Sequence, residues 1–168
     1  MKLTELFLAE LDREAKRTRR ALERVPTGRD DWKPHAKSMP LGRLAGLVAS
    51  MPSWISLIID QPELDLNPPG GRGQYRQPAT DKLVEALDLE VAKARASLSK
   101  TNDDFLLTTK WKLLVSGKVV SEEPRHIVLR DTINHLAHHR GQLTVYLRLN
   151  DQPVPAIYGP SADDQQFA

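Results

Sequence analysis

Cysteine is absent from this chain of 168 residues, which excludes disulfide bonds, thiolate nucleophiles and cysteine-ligated metals. Long apolar runs are absent as well, because no stretch approaches the roughly 18 uninterrupted apolar residues of a membrane span. The net charge is only +2, so the chain has little electrostatic attraction for nucleic acids or anionic lipids. The N-terminal segment mixes apolar with charged side chains, unlike the apolar centre of a secretory signal. We therefore expect a cytoplasmic protein that binds neither nucleic acid nor membranes.

The residues that are present have the composition of one globular domain. Hydrophobic residues make up 40% of the chain and charged residues 27%, a balance typical of a folded chain. The glycine-rich phosphate loop, the dinucleotide fingerprint and the Gly-x-Ser-x-Gly elbow do not occur. At this length one hydrophobic core is expected, and we assign residues 1–168 to a single domain.

Apolar residues recur at helical spacing in four segments, which predicts four amphipathic helices around one core. The second segment contains Pro52, which should bend or break its helix because proline lacks a backbone N–H and crowds the preceding turn. The predicted helices cover residues 3–25, 41–59, 80–98 and 124–149. The sequence thus predicts an all-α four-helix bundle.

Two connecting segments complete the predicted fold. Residues 61–77 are rich in proline and glycine, which is typical of a long surface loop. Residues 108–121 contain several β-branched side chains around Ser116 and Gly117. This pattern favours a short hairpin or an irregular strand pair, inserted before the last helix.

The last predicted helix carries His135, His138 and His139, three of the five histidines of the chain. His135 and His139 are four residues apart, so a helix places both imidazoles on one face, about one turn apart. By the helical wheel this face borders or faces the core, whereas His138 points about 60° away, toward the surface. The pair is spaced to bind one divalent metal. The alternative is two partly buried histidines whose nitrogens are satisfied by hydrogen bonds.

Other polar residues near this pair allow alternative roles. Arg140 either clamps a substrate carboxylate or pairs with an acid on a neighbouring helix. Tyr146 shares the histidine face, where a core position is favoured over a catalytic one. Glu123 and His126 have the Glu-x-x-His spacing of half a di-metal site, but the sequence has no second copy to face them.

The run Asn-His-Leu-Ala-His-His-Arg-Gly-Gln-Leu at 134–143 and the Ile-Tyr-Gly-Pro tail at 157–160 resemble the DinB/YfiT-like family of metal-binding helical bundles. The resemblance implies that His135 and His139 are two of three ligands of a divalent metal of the zinc, nickel or iron class. It also implies a homodimer, for which Trp54 or Ile55 would supply exposed apolar surface. Relatives include thiol-dependent transferases and isomerases, and hydrolases.

The third ligand that the resemblance implies is a histidine on the second helix, in a Leu-Ala-x-His-Val-Ala stretch. This chain has Leu-Ala-Gly-Leu-Val-Ala at 44–49, so Leu47 takes the place of that histidine. Leucine has no donor atom, and catalytic zinc sites usually have three protein ligands. Either the metal has been lost, or Asp131, His35 or a residue of a second subunit replaces the histidine.

Two functions follow as alternatives. The first is a DinB-like metal-dependent thiol transferase or hydrolase that acts on a small molecule, with a degenerate site at Leu47. The second is a non-catalytic helical bundle that binds a small molecule or a partner protein without metal. The pair His135 and His139 favours the first alternative, and Leu47 favours the second. The sequence assigns no catalytic residue.

Overall fold

The computed structural model describes residues 2–71 and 78–166, and in these ranges the chain is mostly helical. The helices are α1 (Leu3–Leu22), α2 (Leu41–Ser50), α3 (Ser53–Asp60), α4 (Leu83–Lys100, after a 3₁₀ turn at Thr80–Lys82), α5 (Asp103–Thr108) and α6 (Arg125–Leu149). The strands are β1 (Glu63–Asp65), β2 (Lys110–Val115) and β3 (Lys118–Pro124). All four predicted helical segments are therefore present.

The second predicted helix is broken at Pro52, as its position predicts. α2 ends before this proline and α3 begins directly after it, with a bend of 47° between them. Within the described ranges no single helix is long and apolar enough to cross a membrane, although α2 and α3 taken together reach that length and composition. The bend directs the two halves of one segment to different parts of the core.

The core consists of two neighbouring clusters of apolar side chains. α2 contributes Leu44 to the first cluster, where it packs with side chains of α1, α4 and α6. α3 contributes Ile58 to the second cluster, which also contains Leu129 of α6 and Trp111 of β2. All four side chains are at most 3% exposed. α6 runs beside both clusters, so its polar residues lie next to the hairpin as well as the helices.

A three-stranded sheet in the order β1-β2-β3 lies between α3 and α6 along the chain. The predicted hairpin is confirmed: β2 and β3 are antiparallel, and Ser116 and Gly117 form their turn with φ angles of 51° and 76°. Two positive φ angles are typical of a type I′ turn. The carboxylate of Asp65 accepts hydrogen bonds from both turn amides, at 3.0 and 2.7 Å.

The all-α prediction is confirmed for the helices and incomplete for the sheet. β1 lies where a loop was predicted, because Glu63–Asp65 pair in parallel with β2, a partner some distance away in sequence. The short helix α5 was not predicted either. Residues 72–77 of the predicted loop lie outside the described residues.

The N-terminus of α1 is capped by Asp103, which belongs to α5. The Asp103 carboxylate accepts hydrogen bonds from the backbone N–H of Thr4 at 3.0 Å and of Leu3 at 2.8 Å, and from the Thr4 hydroxyl at 3.1 Å. The backbone donors of Thr4 and Leu3 lower the pKa of Asp103 below its ordinary value of 3.8. These contacts satisfy amides that have no partner within the helix.

We expect Asp103→Asn to reduce the loss of stability in acid. A carboxylate whose pKa is lower in the folded state stabilises the protein above its unfolded pKa, and this effect is lost as the pH falls through the folded pKa. The free energy of unfolding of the wild type should therefore decrease as the pH falls below 3.8, and the variant should show a smaller decrease. Urea unfolding over a pH series measures both. Asp104→Asn is the matched control, and an equal reduction in that variant would contradict the assignment.

Candidate functional site

His135 and His139 converge on the surface of α6. Their Nε2 atoms are 2.9 Å apart and their ring centroids 4.6 Å apart, as expected for side chains one turn apart. His139 is half-buried and His135 is exposed. The buried stripe of α6 runs through Leu129, Leu136 and Leu143, so the pair borders the core rather than facing it, which is one of the two positions that the helical wheel allowed. The pair lies at the edge of that stripe.

Gln142 fixes the orientation of two histidines. Its Oε1 lies 2.8 Å from His139 Nδ1 and can only accept, so Nδ1 carries the proton and Nε2 holds a lone pair. The Gln142 amide also donates to His138 Nε2 at 3.1 Å. His135 then donates its Nε2–H to His139, which satisfies the pair with one hydrogen bond. A hydrogen bond that fixes the tautomer of the ring is the usual outer support of a metal-binding histidine.

His135 is uncharged at neutral pH. Partial burial of its ring lowers the pKa of His135 from the ordinary 6.5, and the nearby His139 and His138 lower it further. Neutral imidazole is the form that offers a lone pair to a metal.

Leu47 takes a core position in the structure. It is half-buried and packs against the first core cluster, to which α6 contributes Leu136 and Leu143. Leu136 lies between the two histidines in the sequence, and Leu143 lies one turn after His139. The position that the family resemblance gives to a histidine ligand is therefore filled by an apolar side chain.

The substitutes considered for that ligand have other partners. Asp131 forms an exposed ion pair with Arg130 at 3.4 Å. His35 is exposed on the loop before α2, where its Nδ1 accepts a hydrogen bond from the backbone N–H of Lys37 at 3.1 Å. Among residues 2–71 and 78–166, no three side chains of the metal-binding types lie close enough together to hold a metal ion. The described chain thus offers two converging nitrogen donors.

A cleft of about 340 Å³ opens beside His135. Side chains of α6, of the β2–β3 hairpin and of α3 form it. Those of α6 follow one another along one side of the helix, those of the hairpin lie on one face of the strands, and α3 contributes one residue. On the hairpin, Trp111 lies opposite Glu123 and Leu113 lies opposite Ser121, and paired residues point to the same face. The lining is Trp54, Trp111, Leu113, Ser121, Glu123, Val128, Asp131, Thr132 and His135.

The cleft has a buried floor and an acidic rim. Trp111 is 3% exposed and Thr132 is 7% exposed, so they form the floor. Glu123 and Asp131 are exposed and place two carboxylates at the rim, together with His135. A site of this size, with an apolar floor and a few polar groups, matches the usual small-molecule pocket.

Arg140 belongs to the core. Its guanidinium, 1% exposed, pairs with Glu14 of α1 at 2.6 Å and donates to the Thr18 hydroxyl at 3.1 Å. The Tyr158 hydroxyl donates to Glu14 at 3.0 Å and accepts from Arg140 at 2.6 Å. Burial by itself raises the pKa of Glu14, but the charge of Arg140 and hydrogen bonds from Arg17, Arg140 and Tyr158 outweigh it, so the pKa lies below 4.5. Of the two predicted roles of Arg140, pairing with an acid on another helix is confirmed.

Tyr146 is a core residue, as favoured from the sequence. It is 9% exposed, and its hydroxyl donates to the carbonyl oxygen of Met39 at 3.1 Å. Its ring meets Trp32 edge to face, with centroids 5.5 Å apart. Tyr146 therefore anchors the loop before α2 to α6.

The other residues that the sequence analysis named do not form the sites expected of them. Ile55 is 3% exposed and Trp54 lines the cleft, so they do not form the exposed apolar surface predicted for a dimer. Glu123 lies at the cleft rim, whereas His126 Nδ1 lies 3.2 Å from the carbonyl oxygen of Leu106. Glu123 and His126 are unrelated, as the sequence interpretation held.

Sequence reasoning missed Gln142 and the cleft. Gln142 follows His139 by three residues and His138 by four, so its contacts with both follow from helical spacing. The cleft was not recognised because its walls come from segments distant in sequence.

These observations define a class of protein: a mostly helical domain with a small sheet and a pair of histidines on its last helix. The chain belongs to the DinB family, whose model matches residues 1–166. A DinB-like protein from Bacillus cereus has a similar fold, with a TM-score of 0.68 and 23% identity over 92% of this chain and 97% of that one. A DinB-like protein from Bacillus subtilis gives a TM-score of 0.67 and 16% identity over 87% and 92%. No curated protein matches the chain.

Proposed function

We propose that this DinB family member binds a small molecule in the cleft beside His135, with His135 and His139 holding a divalent metal of the zinc, nickel or iron class at the same place. The observation that carries this proposal is the 2.9 Å approach of the two Nε2 atoms, together with the position of His135 in the lining of the cleft.

The Nε2 atoms of His135 and His139 could supply half of the four ligands of a tetrahedral metal site. Two imidazole nitrogens converge, and Gln142 supports His139 from its far nitrogen, which is the arrangement that orients ligating histidines. The remaining donors would come from the bound molecule and water. A metal bound here supplies a Lewis acid and lowers the pKa of a coordinated water or thiol.

The side chains of this chain have distinct roles in the proposed site. Gln142 keeps the Nε2 lone pair of His139 directed at His135, and His135 would present a second lone pair by carrying its proton on Nδ1 instead of Nε2. Trp111 and Thr132 exclude water from the floor of the cleft. The reaction class that suits such a site is thiol transfer or hydrolysis on a small molecule, which the family resemblance also implies.

Zinc binding tests the proposal directly. We expect tag-free wild-type protein to bind about one zinc ion per chain by isothermal titration calorimetry, and His139→Ala to lose this binding because a single imidazole remains. His35→Ala is the matched control, since this exposed histidine lies on the loop before α2, and it should bind as the wild type does. A wild type without zinc binding, or zinc retained in His139→Ala, would overturn the proposal.

A second candidate is a non-catalytic bundle that binds its small molecule without metal. The packing of Leu47 against the first core cluster favours it, because this leucine contributes to the core where a third ligand would otherwise stand. In that case His135 and His139 are hydrogen-bonded to each other and bind no metal. The cleft then acts alone as the binding site.

A homodimer stays a prediction of the family resemblance. The described residues do not supply the exposed Trp54 and Ile55 surface first expected for it, so a dimer would use another face.

A further inference from the structure

The side chains around the cleft carry charge of one sign. Its lining contains two carboxylates, Glu123 and Asp131, and neither lysine nor arginine. Lys110 and Lys112 are neighbours of Trp111 on β2, but successive residues of a strand point to opposite faces. Arg130 contacts Asp131 at 3.4 Å, and its side chain is 68% exposed. Exposed pairs of this kind are weak and screened by solvent, so the rim keeps most of its negative charge. Within the described ranges Glu123 has no ion-pair partner.

Two indole rings line the same cleft. Trp54 is half-buried on α3 and Trp111 is buried on β2. The face of an indole attracts a cation through its quadrupole, more strongly than any other side-chain ring. Carboxylates at the rim and indoles inside therefore favour the same class of ligand.

The floor of the cleft also holds an unpaired donor. Trp111 is 3% exposed, and its Nε1–H has no acceptor in the described part of the chain. Leaving a buried donor unpaired costs about 1–3 kcal/mol, so such a group calls for an explanation. The Nε1 atom is itself shielded from solvent, so a molecule in the cleft would reach it only after a movement of the lining side chains.

We propose that the cleft binds an organic cation, namely a small molecule with an ammonium group at the Glu123 and Asp131 rim and an apolar part between Trp54 and Trp111. The inference rests on the proposed function, since it names the substrate class of that same cleft. Size agrees with it, because about 340 Å³ is near the lower end of ligand pockets. In the metal-free cleft, anionic molecules of the same size would meet two carboxylates and bind more weakly.

Titration with benzyltrimethylammonium tests this inference on protein freed of metal by a chelator. The chain has three tryptophans, whose indole N–H signals are separable by two-dimensional NMR and assignable with Trp→Phe variants. We expect the signals of Trp54 and Trp111 to shift and that of Trp32 to stay in place. Benzyl alcohol and benzoate should bind at least about fivefold more weakly. Equal affinity for either, or no shift at Trp54 and Trp111, would overturn the inference.

Charge variants locate the interaction. We expect Glu123→Gln with Asp131→Asn to weaken benzyltrimethylammonium binding at least about fivefold. Glu122→Gln is the matched control. Glu122 is next to Glu123 on β3 and lies opposite Lys112 in the strand register, and it does not line the cleft. An equal loss in Glu122→Gln would mean that general surface charge attracts the probe, and would overturn the inference.

The two proposals fail separately. Zinc binding that depends on His139, without binding of the cation, overturns only the ligand class. Cation binding without zinc binding overturns only the metal site.

Discussion

Leu47→His should convert the two-donor pair into a three-donor site and increase zinc affinity by about 100-fold, which corresponds to about 2.7 kcal/mol of binding free energy. The reason is that a third imidazole would join His135 and His139, in the slot that the family resemblance assigns to a histidine. Competition calorimetry against a chelator of known affinity measures the change, and mass spectrometry of the purified proteins measures the metal that they retain.

Leu47→Gln is the control for this substitution. Both variants remove a half-buried leucine from the first core cluster, at a cost of about 1 kcal/mol of stability, but only histidine adds a metal ligand. Zinc should therefore raise the melting temperature of Leu47→His far more than that of Leu47→Gln, because a ligand that binds only the folded state stabilises it. Equal zinc affinity in the two variants would mean that position 47 does not reach the pair.

Arg140→Met should lower the free energy of unfolding by about 3–5 kcal/mol, because it leaves the Glu14 carboxylate buried without its main partner. Arg140 and Glu14 are 1% and 2% exposed, so solvent cannot replace the lost contact. Arg17 still pairs with Glu14 at 2.6 Å, and this contact keeps the loss toward the lower end of the range. Urea unfolding at neutral pH measures the difference.

A double-mutant cycle separates the ion pair from packing. Glu14→Gln with Arg140→Met should destabilise the protein by less than the sum of the single changes, because no unpaired charge remains. Arg148→Met is the control on the same helix, since the Arg148–Asp163 pair is exposed and should contribute little. If Arg140→Met costs no more than Arg148→Met, the buried pair does not stabilise the fold.

Local spacing made much of the fold predictable. Apolar periodicity placed the four helical segments, because a helix buries one stripe of side chains whatever its partner is. Pro52 located the break between α2 and α3, and Ser116-Gly117 located the hairpin turn, since both depend on backbone conformations that those residue types favour. Helical spacing also brought His135 to His139.

Interactions between distant segments were less predictable. β1 is a strand only because β2 lies beside it, and Glu63–Asp65 carry no signal strong enough to overcome the prolines and glycines that follow. The helical wheel left open whether His135 and His139 face the core or border it, because a wheel gives relative angles and not the direction of the core. Glu14 carries no local signal of burial, because its partner Arg140 lies on α6, far away in the sequence.

The amino-acid sequence by itself determined the helical segments, the histidine pair and the leucine at position 47, since each depends on residue identity and on spacing within one helix. Only the tertiary structure decided that Trp54, Trp111, Glu123 and Asp131 share one cleft with His135. The physical reason is that packing of the hairpin and α3 against α6 brings these residues together, and such packing depends on the shape of the whole core rather than on any local pattern.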